Sequence, residues 1–159
     1  MRASPPVSAA PLAAKWRKLA ERRCAEKGER LTPARLAVYA EMLTRDRPVS
    51  AYELIGLLEE RQKRKIAPLT VYRHLDFLIR TGLVHRLQSA QTYLPCEHPD
   101  HAHESQFLLC SSCGRVDEVE SRGVRKMLSR IADERGFRPE QAVVEVKGLC
   151  GACAAAEPA

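Results

Sequence analysis

No part of this 159-residue chain comes near the ~18 consecutive apolar residues that a membrane-spanning helix needs. The opening MRASPPVSAAPLAAKW is polar and Pro-rich, without the continuous apolar centre of a secretory signal. A cytoplasmic setting with no membrane partner is therefore expected. There is no internal repeat. The first half contains neither a catalytic dyad nor a Gly-rich phosphate loop. The HAHE stretch lacks the HExxH or HxE…PCxxC context in which zinc keeps an open position beside a general base, so a zinc hydrolase or deaminase is disfavoured. No enzyme is expected.

What the chain does have is unevenly spread charge. Residues 1–89 carry 18 Lys+Arg against 9 Asp+Glu, and residues 90–159 carry 8 against 11. The net charge of +6 is thus concentrated in the first half, which favours a polyanionic partner. The length allows one domain or two small ones, and a unit of about 60 residues often needs a metal or a second subunit. In a reducing compartment, CxxC pairs read as metal ligands or redox centres rather than disulfides.

Residues 1–11 read as disordered. Leu12, Trp16, Leu19 and Ala20 then share one helical face, with Gly28 as the stop. Cys24 continues that face and reads as a small buried hydrophobe. Thr32-Pro33 is a cap followed by Pro at the first helical position. Leu36, Tyr39, Ala40 and Leu43 give the spacing of a second helix that ends near Arg45-Asp46. Ser50 and Glu53 form a capping box before Ala51, Leu54, Ile55 and Leu58. The run Arg61–Lys65 reads as a charged loop, a solvated surface that can also meet phosphates. A fourth helix follows Pro68 to about Thr81, with Val71, Leu75, Leu78 and Ile79 inward and Tyr72, Arg73, Asp76 and Arg80 largely outside. LVHRLQ-SAQ-TYLP reads as a β-hairpin. Short helices followed by a hairpin are the order of a winged helix-turn-helix, whose last helix enters the major groove.

In the second half, Gln106–Cys110 and Arg115–Glu120 read as strands around the knuckle CSSCG. Val124, Met127, Leu128 and Ile131 mark a helix ended by Gly136, Ala142–Gly148 a third strand, and AAAEPA a loose tail. The overall class is α+β. Cys110, Cys113, Cys150 and Cys153 supply four thiolates in two CxxC pairs, which suit a closed tetrahedral zinc. A redox motif is the weaker reading, since two pairs are present rather than one. The 36 intervening residues accommodate the strand, helix and strand between them. A second, less specific set comprises His85, Cys96, Glu97, His98, Asp100, His101, His103, Glu104 and Glu118. Alternation puts His85 on the face of Leu83 and Leu87, as a packed core residue or as a ligand. EHPDHAH reads as part of a metal site or as a solvated loop. Mixed S, N and O donors suit Zn²⁺, whereas N and O alone leave Fe²⁺ or Mn²⁺ open.

The stretches LTPARLAVY, SAYELIGLL, PLTVYRHLDFLIRTGLVHRL, FLLCSSCGRVDEVE and GLCGAC resemble the ferric uptake regulator (Fur) superfamily of bacterial metal-dependent repressors, over about residues 15–153. The resemblance is greatest to its zinc-sensing members. It implies a winged-helix DNA-binding domain at 12–95, a hinge at 96–104, a dimerisation domain at 105–153 and a tail at 154–159. It assigns Cys110, Cys113, Cys150 and Cys153 to a structural zinc, and His85, Cys96, His103 and Glu118 to a regulatory one, about two zinc ions per chain. A metal joining wing, hinge and dimerisation domain would fix the angle at which a homodimer presents two recognition helices to a palindromic operator on double-stranded DNA. Tyr72 and Arg73 match recognition-helix positions. Arg35, Lys15, Arg17 and Arg64 are assigned to phosphates. The implied function is repression of zinc-uptake genes when zinc is plentiful. An iron or peroxide sensor of the same family and a zinc chaperone or buffer are the rival readings. The iron-sensing pattern has a denser His-rich hinge and a further His on the last strand, which AVVEVKG lacks; His98 and His101 are left for a further site.

Overall fold

The computed structural model describes residues 10–99, 105–140 and 142–156, with side chains from Ala14 onward. By its internal contacts the chain divides into two compact units, Met1–His101 and Ala102–Ala159.

The first unit opens with α1 (Ala10–Glu26), followed by α2 (Pro33–Leu43), β1 (Val49–Ser50), α3 (Ala51–Gln62), α4 (Pro68–Arg80), β2 (Val84–Leu87) and β3 (Thr92–Pro95). Several helix boundaries have a local cause. Thr32 Oγ1 accepts from the Arg35 N–H, Ser50 Oγ accepts from the Glu53 N–H, and Pro33 and Pro68 occupy first-turn positions where no N–H is missed. Gly82, at φ +76°, takes the left-handed turn that ends α4 and feeds β2. The helices close over a core that includes Tyr39, Leu54, Leu58, Leu75, Leu78 and Leu83. The three strands form an antiparallel sheet in the order β1-β3-β2, with His85 opposite Leu94 and Val49 opposite Tyr93. The expected winged helix-turn-helix is present, with α4 leading directly into the hairpin.

The structure alters several details of the sequence reading. Helix α1 starts at Ala10, so Ala10 and Pro11 are helical rather than disordered; residues 1–9 of that expectation lie outside the described residues. Helix α2 ends at Leu43, before Arg45-Asp46, and its buried face runs through Val38, Tyr39, Glu41 and Met42, while Ala40 is exposed. Arg61 and Gln62 belong to α3, not to a loop; the helix stops at Lys63, which takes a left-handed φ of 53°. Phe77 joins the buried face of α4 and Ile79 is only partly covered. Strand β1 has only two residues, too few for any periodicity to announce it.

The second unit contains β4 (Gln106–Cys110), β5 (Val116–Val119), α5 (Arg122–Glu134), β6 (Val144–Gly148) and α6 (Gly151–Ala156). The sheet order is β5-β4-β6. Strands β4 and β5 form an antiparallel hairpin, whereas β4 and β6 are parallel and need a crossover, which contains α5. Among the described residues, burial here is confined to Gln106, Phe107, Leu109, Cys110 and Ala132. Gln106 accounts for its polar head by accepting the Ser121 N–H at 2.7 Å. Met127 and Ile131, two of the apolar residues that mark α5, are exposed, as is Val146 on β6. Of the loose tail expected at 154–159, Ala154–Ala156 are helical, and 157–159 lie outside the described residues.

Candidate metal centres and nucleic-acid interface

The parallel pairing of β4 with β6 sets Cys110 opposite Gly148 and so brings the two knuckles together. The Ser111 N–H donates to the Gly148 carbonyl at 2.8 Å, and Gly114, at φ +73°, turns the first knuckle back so that its N–H reaches the Cys110 carbonyl. The second knuckle straddles the start of α6. The sulfurs of Cys110, Cys113, Cys150 and Cys153 all lie within 4.8 Å of one another. Four thiolates at the ~2.3 Å zinc–sulfur distance of a tetrahedral site stand about 3.8 Å apart. Cys113 Sγ and Cys150 Sγ are separated by 3.8 Å, a ligand spacing and far outside a disulfide. Backbone N–H groups of Cys113 and Cys150 hold the Cys110 thiol down to about 6. Ser112 lowers the Cys153 thiol, but the sulfurs of Cys150, Cys113 and Cys110 push it up further, to about 12. Four sulfurs gathered this closely, at ligand spacing, form a donor set that fits Zn²⁺.

The second set is only partly within view. His85 is half-buried on β2, and Cys96, wholly buried just after β3, donates its N–H to the Leu83 carbonyl at 2.9 Å. Their ligand atoms lie within 4.8 Å of each other, so the wing and the segment leaving it hold an imidazole and a thiol together. In the second unit, Glu118 is half-buried on β5, opposite Phe107, and accepts a hydrogen bond from Ser105 Oγ. Glu97 and His98 are exposed. Asp100, His101, His103 and Glu104 lie outside the described residues.

On α4, Arg73 is exposed, while Tyr72 is half-buried against the core rather than fully outside it. Arg64, Lys15 and Arg17 are exposed; Arg64 donates to Gln62 at 3.1 Å and Arg17 pairs with Glu21 at 2.8 Å. Arg35 is half-buried and its guanidinium lies over the Phe77 ring, 3.6 Å from the centroid. The basic run is partly answered within the protein. Lys65 pairs with Glu59, and Arg61 reaches Glu41, a carboxylate only 3% exposed that Arg45 approaches from just past the end of α2. Sequence reasoning missed Glu41, although Arg45 four residues on was a signal. It also missed His74, half-buried on α4, whose pKa is lowered by burial and by nearby Arg35. Among the described residues, no helix is long and apolar enough to cross a membrane.

Residues 26–147 match the ferric uptake regulator family. The chain is 40% identical over 139 residues to the zinc uptake regulation protein of Escherichia coli K12, covering 87% of this chain and 81% of that protein. It is 29% identical over 131 residues to a ferric uptake regulation protein of Synechococcus elongatus, covering 80% and 88% of the two chains. A zinc uptake regulator solved with zinc and DNA superposes with a TM-score of 0.86 at 37% identity, covering 92% of this chain and 97% of that one. Holo XcZur superposes with a TM-score of 0.81 at 41% identity over 91% of this chain and 99% of the other.

Proposed function

Since this chain belongs to the ferric uptake regulator family, we propose that it is a zinc-responsive, sequence-specific DNA-binding regulator that mainly represses zinc-uptake genes when zinc-loaded. The observation that carries zinc over iron is the thiol of Cys96 beside the imidazole of His85. A thiolate in the ligand set suits zinc, whereas nitrogen and oxygen donors alone suit a harder ion.

Cys110, Cys113, Cys150 and Cys153 hold a structural zinc. His85, Cys96, His103 and Glu118 take the regulatory ion, giving about two per chain. When bound, that ion supplies a cross-link among residues from the wing, the hinge at 96–104 and the dimerisation domain at 105–153. His85 and Cys96 belong to the DNA-binding domain at 12–95 and its exit, so their engagement biases the presentation of α4. Arg73 donates to base edges and Tyr72 meets a base or phosphate; Arg35, Lys15, Arg17 and Arg64 contact phosphates. The active species is a homodimer on a palindromic operator, which supports two-fold symmetric reading. The exposed Met127, Ile131 and Val146 are apolar surface for the second copy. The protein acts in the cytoplasm as a regulator, not an enzyme.

The test is to select operator DNA from a random pool with zinc-loaded protein, then titrate binding against buffered free Zn²⁺ and Fe²⁺. Half-maximal binding at a much lower free concentration of zinc supports the proposal. Half-maximal binding at lower free iron assigns the site to iron sensing. Equal binding with no metal added removes the sensing role.

A further inference from the structure

The Phe77 ring belongs to no metal centre and is too buried to touch DNA, at 1% exposure. Yet it has a cation on its face. The Arg35 guanidinium carbon lies 3.6 Å from the ring centroid, and that of Arg80 lies 5.9 Å away. These two residues come from α2 and α4, which pack against each other, and α4 is the helix expected to enter the groove. Arg35 sits in the first turn of α2, where the positive end of the helix dipole repels a cation. Something must therefore hold it there. The ring supplies one restraint through its negative face. The second is a hydrogen bond from Arg35 Nη1 to the Arg30 carbonyl at 2.6 Å.

We propose that Phe77 is a positioning residue for DNA binding: its ring holds the Arg35 guanidinium so that the remaining N–H edge meets a DNA phosphate already aligned. The inference rests on the assignment of Arg35 to a phosphate. Arg35 Nε and Nη2 make no hydrogen bond or ion pair among the described residues, which leaves that edge for a ligand. Arg80 is committed elsewhere, to Glu29 at 3.2 Å, so of the two cations Arg35 is the one with donors to spare. His74 lies one turn earlier on the same helix face. Burial, helped by Arg35, lowers its pKa, so it stays neutral near pH 7 and adds no competing charge. An arginine held in one geometry before binding loses less side-chain freedom on meeting its phosphate than a free one.

The experiment uses the full-length, zinc-loaded protein and its selected operator, with affinity measured across a salt series. Six proteins are compared: the natural chain, Arg35→Ala, Phe77→Leu, the chain with pentafluorophenylalanine in place of Phe77, and each of the two Phe77 changes combined with Arg35→Ala. The fluorinated ring keeps an apolar ring of similar shape but inverts the charge on its face. A purely structural role for Phe77 therefore predicts no loss with it. Arg35→Ala is expected to lower the slope of log K against log salt by about 0.9, one phosphate contact. Phe77→Leu and the fluorinated ring are each expected to weaken binding about fivefold. Neither should weaken it further in an Arg35→Ala background. If Arg35→Ala lowers the slope but the fluorinated protein binds like the natural one, the positioning role is wrong and the phosphate contact stands. If Arg35→Ala leaves the slope unchanged, the phosphate assignment itself fails and the positioning role with it.

Discussion

The second unit should not hold its fold without the four-cysteine site. Its buried apolar side chains among the described residues are Phe107, Leu109, Cys110 and Ala132. Burying Phe107 and Leu109 contributes about 2–3 kcal/mol each. Occupying a structural zinc site contributes about 10–16 kcal/mol in small zinc domains. The metal term is thus the larger one. It acts where β4, β6 and α6 meet, since Cys110 ends β4 and Cys150 and Cys153 flank the start of α6. The perturbation is Cys113→Ser with Cys150→Ser, or removal of the tightly held metal by a strong chelator under reducing conditions. The first unit has its own core, from Ala20 to Tyr93, and needs no metal to close it. Amide hydrogen exchange resolved by residue is the assay. The amides of Gln106–Cys110 and Val144–Gly148 should lose protection, while those of Ala51–Gln62 and Pro68–Arg80 keep theirs. Protection of β4 and β6 that survives metal loss would refute the reasoning, and so would loss of protection in both units together.

Three further outcomes follow from local geometry. Ser50→Ala removes the hydroxyl that accepts the Glu53 N–H at 3.1 Å and should lower stability by about 1 kcal/mol, read from denaturant unfolding of the first unit. Glu59 accepts the Ile66 N–H at 2.9 Å and pairs with Lys65; those contacts lower its pKa from the ordinary 4.5. Its folded value lies below its unfolded one, so its stabilisation is present above pH 4.5 and is lost as pH falls through the folded value. The stability gap between the natural chain and Glu59→Gln should therefore be widest near neutrality and close in acid; a gap that widens on acidification would contradict this. Ile131→Glu places a charge on exposed apolar surface of α5 and should turn dimers into monomers in sedimentation velocity, whereas an unchanged dimer would move the interface elsewhere.

The parts of the fold that could be read from sequence were those with several signals in agreement. Helix α3 had a cap, a capping-box glutamate and a regular apolar stripe, and Ala51, Leu54, Ile55 and Leu58 are all buried. The four-cysteine set was legible because CxxC spacing leaves few alternatives to a metal, and the parallel β4–β6 register closes it. Helix α2 was misread at Ala40, because a small residue fits either face and the i, i+3, i+4 count treats it as apolar. Glu41 escaped because a buried carboxylate runs against pattern; Arg45 four residues on was its local signal, while its other partner, Arg61, arrives from another helix. The Arg35–Phe77 stack is likewise a tertiary contact with no local period. Ala154–Ala156 read as part of a tail although alanine has the highest helix propensity, and α6 extends through them.

The central claim is that a labile zinc, separate from the structural one, controls DNA binding. The most direct measurement is metal content per chain by elemental analysis, before and after mild chelation, with operator affinity followed on the same samples. The account predicts one zinc that resists chelation and a second that leaves together with operator binding. It also predicts that His103→Ala abolishes the second zinc and spares the first. Finding only the resistant zinc, with operator binding indifferent to chelation, would contradict it and leave a constitutive DNA-binding protein.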